Sequence, residues 1–348
     1  MRVAFAGAGW QRNLVNNVVI PLAAVLLSLV VGAFLIMLVQ VNPLDAYGAL
    51  AKGALGTVRA VTQVALRSVP LLLIGLGLLL AFRCKVWNIG AEGQFFMGAL
   101  AATWVGLSFG SWPAWVVLPA MLVAAGLAGA AWGAIPGLLK ARRGTSEIVT
   151  SLLLNYVAIL FVSYLVRLPM KDPQYYLPQS APLGDAATLF LIPGTRLHAG
   201  LLIALVCVPL VYLVLWKTPF GYRLRVVGAN PTAARYAGID VAAHVVAAMV
   251  LSGGLAGVAG MIEVAGVHHR LMTGISPGFG YTGIVVALLG RLHPIGVLLA
   301  AYFFSSLTIG ADSMQRVVGL PVALTDIIQA LVVLFVLASD YVTQRKRD

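Results

Sequence analysis

The sequence predicts an all-α, polytopic helical membrane protein of about ten transmembrane segments, some short or broken, with both termini cytoplasmic. Three observations carry this. Apolar residues make up 61% of the 348-residue chain and charged residues only 10%, more apolar surface than a soluble core of that length would bury. The apolar residues recur in stretches of 17 to 25, the length a helix needs to cross about 30 Å of hydrocarbon. The basic residues cluster in short segments between those stretches, where membrane orientation explains them. The net charge of +12 is therefore not read as nucleic-acid binding, and no nucleic-acid partner is expected.

In chain order, the spans fall near 18–41, 69–82, 94–111, 114–139, 146–166, 198–216, 243–265, 281–290, 294–311 and 322–339. The first is too long for a signal-peptide core and lacks a clear small-residue cleavage site, so it reads as an uncleaved span. The eighth has only about ten residues, which predicts a half-helix or broken segment sheltered by its neighbours. With both termini inside, inner segments hold Arg2, Arg12, Arg83, Lys85, Lys140, Arg142, Arg143, Lys217, Arg223, Arg225, Arg235, Arg291, Arg345, Lys346 and Arg347, which is 15 of the 23 basic residues. The opposite orientation leaves eight inside, so the positive-inside rule favours the first. Segments 42–67 and 167–197 carry Pro43, Pro169, Pro173, Pro178, Pro182 and Pro193 and read as outer surface structure. The whole of 1–348 is thus one transmembrane domain, with a cytoplasmic loop at 217–243.

Gly129, Gly133 and Gly137 recur every four residues and Gly253, Gly257 and Gly260 nearly so, a spacing that lets helices approach closely in lipid, for tight packing or for rocking. Residues 70–102 and 250–290 share the order helix, polar Gly-containing break, short helix, the mark of an internal duplication. Cys84 and Cys207 have no metal or redox spacing.

Three stretches carry chemistry. In AFRCKVWNIGAEGQFFMGALAA (81–102), Asn88, Glu92 and Gln94 interrupt an apolar run beside Gly90 and Gly93. Glu92 either serves a translocation path or pairs with Arg83 or Lys85 near the membrane boundary. In GTSEIVTSLLLNYVA (144–158), Glu147, Ser151 and Asn155 fall on one helical face. That polar stripe must meet other helices or an aqueous path, because lipid offers no hydrogen bonds. In GYRLRVVGANPTAARYAGID (221–240), an Asn cap and a Pro at the first helical position predict a short helix outside the membrane. It either anchors to anionic lipid or receives force from a partner subunit.

Glu263 and Asp326 are further intramembrane carboxylates. No His or Lys pairs with these acids at helical spacing, and His268, His269 and His293 fall at segment ends. The phosphate-binding loop, the H-E-x-x-H pattern, metal-spaced Cys/His clusters and the G-x-S-x-G turn are all missing from the sequence. No cofactor is expected on this chain, and if ATP drives it, another polypeptide binds that ATP.

LLLIGLGLLLAFRCKVWNIGAEGQFFMGALAA, GTSEIVTSLLLNYVA, GYRLRVVGANPTAARYAGI and GFGYTGIVVALLGRLHPIG, spanning 72 to 296, resemble permease subunits of bacterial ABC importers. The superfamily is that of simple-sugar, ribose and branched-chain amino acid importers, and WNIGAEGQ looks like its nucleoside-type members rather than its ribose-type ones. The resemblance implies a plasma-membrane complex of two permeases, similar or identical, with a separate ATPase that binds ATP and Mg. An extracellular or periplasmic binding protein delivers substrate. It places Gly228, Asn230, Pro231, Ala234, Arg235, Tyr236 and Gly238 in an ATPase-coupling region. Asn88, Glu92, Gln94, Glu147, Ser151 and Asn155 are the candidate translocation path. The alternatives are a simple-sugar permease, or an ion-coupled carrier using Glu92, Glu147, Glu263 and Asp326.

Overall fold

The computed structural model describes the backbone of residues 20–345 and the side chains of 23–339. Arg2, Arg12, Lys346, Arg347 and the side chain of Arg345, on which the terminal orientation partly rests, lie outside the described residues. In chain order the helices are α1 (Ile20–Leu38), α2 (Pro43–Leu55), α3 (Val58–Arg83), α4 (Ala91–Ser108), α5 (Ala114–Arg143), α6 (Glu147–Arg167), α7 (Gly200–Lys217), α8 (Pro219–Ala229), α9 (Pro231–Tyr236), α10 (Val241–Glu263), α11 (Phe279–Leu289), α12 (Pro294–Val318) and α13 (Val322–Arg345). A π-helical turn, Val264–His268, extends α10.

Seven of the described helices are long and apolar enough to cross a membrane, and α1 with α2, bent by 119°, makes an eighth if that pair is one span. The two other expected spans, 94–111 and 281–290, correspond to α4 and α11, which fall outside that group. The reason differs. Helix α4 carries Glu92 and Gln94 in a buried first turn, and α11 has only 11 residues.

The described chain packs as two units, one made of the chain up to Val64 with Phe303 onward, the other of Ala65–Tyr302. In the first, Ile36, Ala46, Ala49, Met314, Leu320 and Ile328 form a buried cluster, and the Tyr47 hydroxyl donates to the Leu29 carbonyl at 2.6 Å. Segment 42–67, expected as surface structure, is instead mostly helical. Pro43 opens α2 behind the Asn42 cap, a position where its missing N–H costs nothing. Asp326 is exposed on α13.

In the second unit α10 is clasped between α4 and α5 through backbone contacts. A Cβ on Gly98 would lie 2.2 Å from Gly257 Cα, one on Gly129 2.2 Å from the Gly253 carbonyl, and one on Gly260 2.2 Å from the Phe95 carbonyl. Glycine here buys proximity, and van der Waals contact along the helices follows from it.

Candidate functional site

Two helix breaks define the centre of the second unit. The first separates α3 from α4. Residues 84–90 leave the helix, with Lys85 at φ +53°, and a non-helical backbone inside a bundle must find partners for its polar groups. Helix α6 supplies them. Its N-cap is Ser146, so the stripe starts at its first residue. The Trp87 N–H donates to Glu147 Oε1 at 3.3 Å, Ile89 N–H to Ser151 Oγ at 3.3 Å, and Gly93 N–H to Asn155 Oδ1 at 2.8 Å. Asn155 Nδ2 returns a bond to the Ile89 carbonyl at 2.8 Å. The stripe predicted from one-face spacing is thus a set of rungs for the broken segment.

Asn88 and Gln94 complete this break as a reciprocal amide pair, Asn88 Nδ2 donating to Gln94 Oε1 at 2.8 Å and Gln94 Nε2 to Asn88 Oδ1 at 3.1 Å. Asn88 also donates to Ser252 Oγ of α10 at 2.9 Å. All six residues of the candidate path are buried, and each has a protein partner. Glu147 also forms an ion pair with Lys140.

The second break separates α10 from α11. It runs from the π turn through His269, at φ +54°, to Gly278, at φ +94°. Ser276 Oγ accepts the Gly278 and Phe279 N–H groups at 3.1 and 2.9 Å. The two breaks then meet: Glu92 Oε2 accepts the Gly280 N–H at 2.6 Å. A Cβ on Gly280 would lie 2.2 Å from Glu92 N, so the first turns of α4 and α11 touch. The expected alternative for Glu92, pairing with Arg83 or Lys85, is not what forms. Arg83 instead donates to the Leu292 carbonyl from Nε and Nη2 at 3.0 and 2.7 Å.

Several participants were invisible in the sequence. Arg67 lies 4.8 Å over the Phe279 ring; the sequence placed it outside the span that contains it. Tyr281 Oη accepts from Asn155 Nδ2 at 3.3 Å. Glu263 meets His268 Nε2 at 3.4 Å. The sequence showed no such pairing because it was sought at α-helical spacing, whereas the π turn brings residues five apart together.

The segment 178–192 is laced to the second break by backbone. Ser180, Leu183 and Leu189 N–H groups donate to the carbonyls of Leu271, His269 and Ala265 at 2.8, 2.8 and 2.9 Å. Beneath it lies His198, 1% exposed. Its Nδ1 accepts the Gly200 N–H at 3.1 Å, so the proton sits on Nε2, which has no partner among the described residues. Gly266 makes room for the ring: a Cβ there would lie 2.7 Å from His198 Cδ2. Burial pushes the His198 pKa below the usual histidine range; the nearby Glu263 opposes this and His269 adds to it.

At the other end of α10 sits the predicted short helix. Asn230 Oδ1 accepts the Thr232 and Ala233 N–H groups at 3.0 and 3.1 Å, and Gly238, at φ +75°, closes the far end. Ala234 is buried, while Arg235 is exposed and Tyr236 is 90% exposed. Gly228 stands apart from these. It packs on the end of α3, where a Cβ would lie 2.0 Å from the Arg83 carbonyl.

The family described as "Branched-chain amino acid transport system / permease component" matches residues 60–337. The chain is similar to a glucose ABC transporter permease of Haloferax volcanii, 42% identical over 92% of this chain and 87% of that one. It is similar to a guanosine ABC transporter permease of Bacillus subtilis, 35% identical over 93% and 94%. A nucleoside ABC transporter permease of Lactococcus lactis is 30% identical over 94% and 92%. No solved structure matches.

Proposed function

The chain belongs to the permease-component family of branched-chain amino acid transport systems, and from that premise we propose that it is the membrane-spanning subunit of an ATP-driven importer for nucleosides. The relatives named for guanosine and nucleosides, matched over more than nine tenths of this chain, support the substrate class. The Glu92 carboxylate at the first turn of α11 supports it too. Helix N-termini attract acidic groups, and here that position is already taken by the Glu92 carboxyl, which suits a neutral solute. The relative named for glucose favours a second reading, a neutral sugar.

In this reading a partner ATPase docks on α9, where Asn230, Pro231, Ala234 and Gly238 set the helix and Arg235 with Tyr236 makes contact; Gly228 keeps the preceding helix α8 against α3. ATP and Mg belong to that partner. A second permease, similar or identical, and a binding protein complete the complex in a bacterial plasma membrane with both termini cytoplasmic. Asn88, Glu92, Gln94, Glu147, Ser151 and Asn155 are the framework of the path, which opens when the two breaks move apart.

Uptake of labelled guanosine and labelled glucose into proteoliposomes is the test. Guanosine uptake by the complex only with ATP is expected. Glucose uptake alone would select the second reading, and uptake by this chain alone under a proton or sodium gradient would overturn both. Arg235→Ala or Tyr236→Ala is expected to reduce ATPase co-purification, and unchanged co-purification would remove α9 from the contact.

A further inference from the structure

Three membrane-crossing helices end around one cavity. The segment leaving α3 contributes Lys85, the last turn of α5 contributes Lys140, and the first turns of α10 contribute Val245; Val227 of α8 and Pro231 and Arg235 of α9 close it, around about 280 Å³. Its walls are mainly apolar and its charged lining residues are all cations. Lys140 is paired with Glu147. Among the described residues, Lys85 and Arg235 have no ion-pair partner, so the cavity carries uncompensated positive charge beside apolar walls.

We propose that this cavity binds the phosphate head group of an anionic phospholipid. The chemistry recognised is a phosphate ester, and position selects its source. A site where α3, α5 and α10 all end lies at one membrane–water boundary, the depth of lipid phosphates, and its apolar walls suit the glycerol and first acyl carbons. Basic pockets between spans attract anionic head groups in this way. Because Arg235 and Pro231 belong to α9, a bound head group holds that helix in the chain without its partner, and an ATPase docked on α9 competes with it for Arg235.

The proposal does not rest on the transport reading, because binding is measured on the full chain without any partner. Native mass spectrometry in neutral detergent compares dioleoyl phosphatidylglycerol with dioleoyl phosphatidylcholine. Preferential retention of phosphatidylglycerol is expected, weakened about fivefold in Lys85→Gln and about 25-fold in Lys85→Gln with Arg235→Gln. Lys85→Arg, which keeps the charge, retains the lipid and shows that the site tolerates substitution. Equal retention of the two lipids, or an unchanged affinity in the double variant, overturns the proposal. Displacement of the lipid by millimolar inorganic phosphate assigns the site to a free phosphate and overturns the lipid source.

Discussion

The two helix breaks at the centre of the second unit solve one problem by different means. Between α3 and α4, exposed backbone groups are satisfied by side chains from a helix far along the sequence, Glu147, Ser151 and Asn155. Between α10 and α11, the carbonyls of Ala265, His269 and Leu271 go to backbone N–H groups of the segment 178–192, and the Ser276 and Glu92 side chains take only the Gly278, Phe279 and Gly280 N–H groups at its far end. A side-chain repair depends on residue identity and concentrates its energy at single positions. A backbone repair depends on the path of the chain and spreads its energy over many. The difference teaches that the first break is fragile to point substitution along its length, and the second only where Ser276 and Glu92 meet the start of α11.

The largest expected effect is therefore at Asn155. Asn155→Leu strands the Gly93 N–H and the Ile89 carbonyl, at about 1–3 kcal/mol each, so unfolding in detergent should lose roughly 4 kcal/mol. Asn155→Asp, which keeps the acceptor, should lose about half of that. Equal stability of Asn155→Leu and wild type would break the comparison. Gly280→Ala comes next, because its Cβ must push against the Glu92 backbone; about 1–3 kcal/mol is expected in the same assay. Glu92→Gln keeps the shape but turns a charge-assisted bond into a neutral one, for about 1 kcal/mol.

At the second break the effects shrink and become conditional. The folded His198 pKa is lowered, so the unfolded chain takes up its proton first as pH falls through about 6.5. Stability is then lost with falling pH, until the folded ring also protonates. A thermal midpoint that declines from neutral to mildly acidic pH is expected, with a shallower decline in His198→Asn. An identical pH profile in both would remove His198 from the titration. His268→Ala should cost least, under about 0.5 kcal/mol, since its pairing with Glu263 is partly exposed.

What was legible followed from periodicity. The polar stripe at 147, 151 and 155 was readable as one helix face, and the Asn230–Pro231 start of α9 was readable as a cap; both form. The readings that failed needed something periodicity does not hold. Segment 42–67 was read only as surface structure, and the Asn42–Pro43 start of α2 was passed over because the reading looked for apolar length. Glu263 and His268 were left apart because a π turn changes the residue spacing by one. The touching first turns of α4 and α11 join residues 188 apart, and neither stretch carries a local sign of the other.

The glycine seam that joins α10 to α4 and α5 has a mechanical meaning. Backbone packed directly on backbone contains no rotatable side chain to absorb displacement, so it behaves as a fulcrum. Helix α10 has 23 residues, about 35 Å of rod, with α9 near one end and the second break at the other. A tilt of about 5° around the middle of that rod carries each end through roughly 1.5 Å in opposite directions. The seam makes α10 a rocker arm, and its throw at either end is comparable to half a hydrogen-bond length.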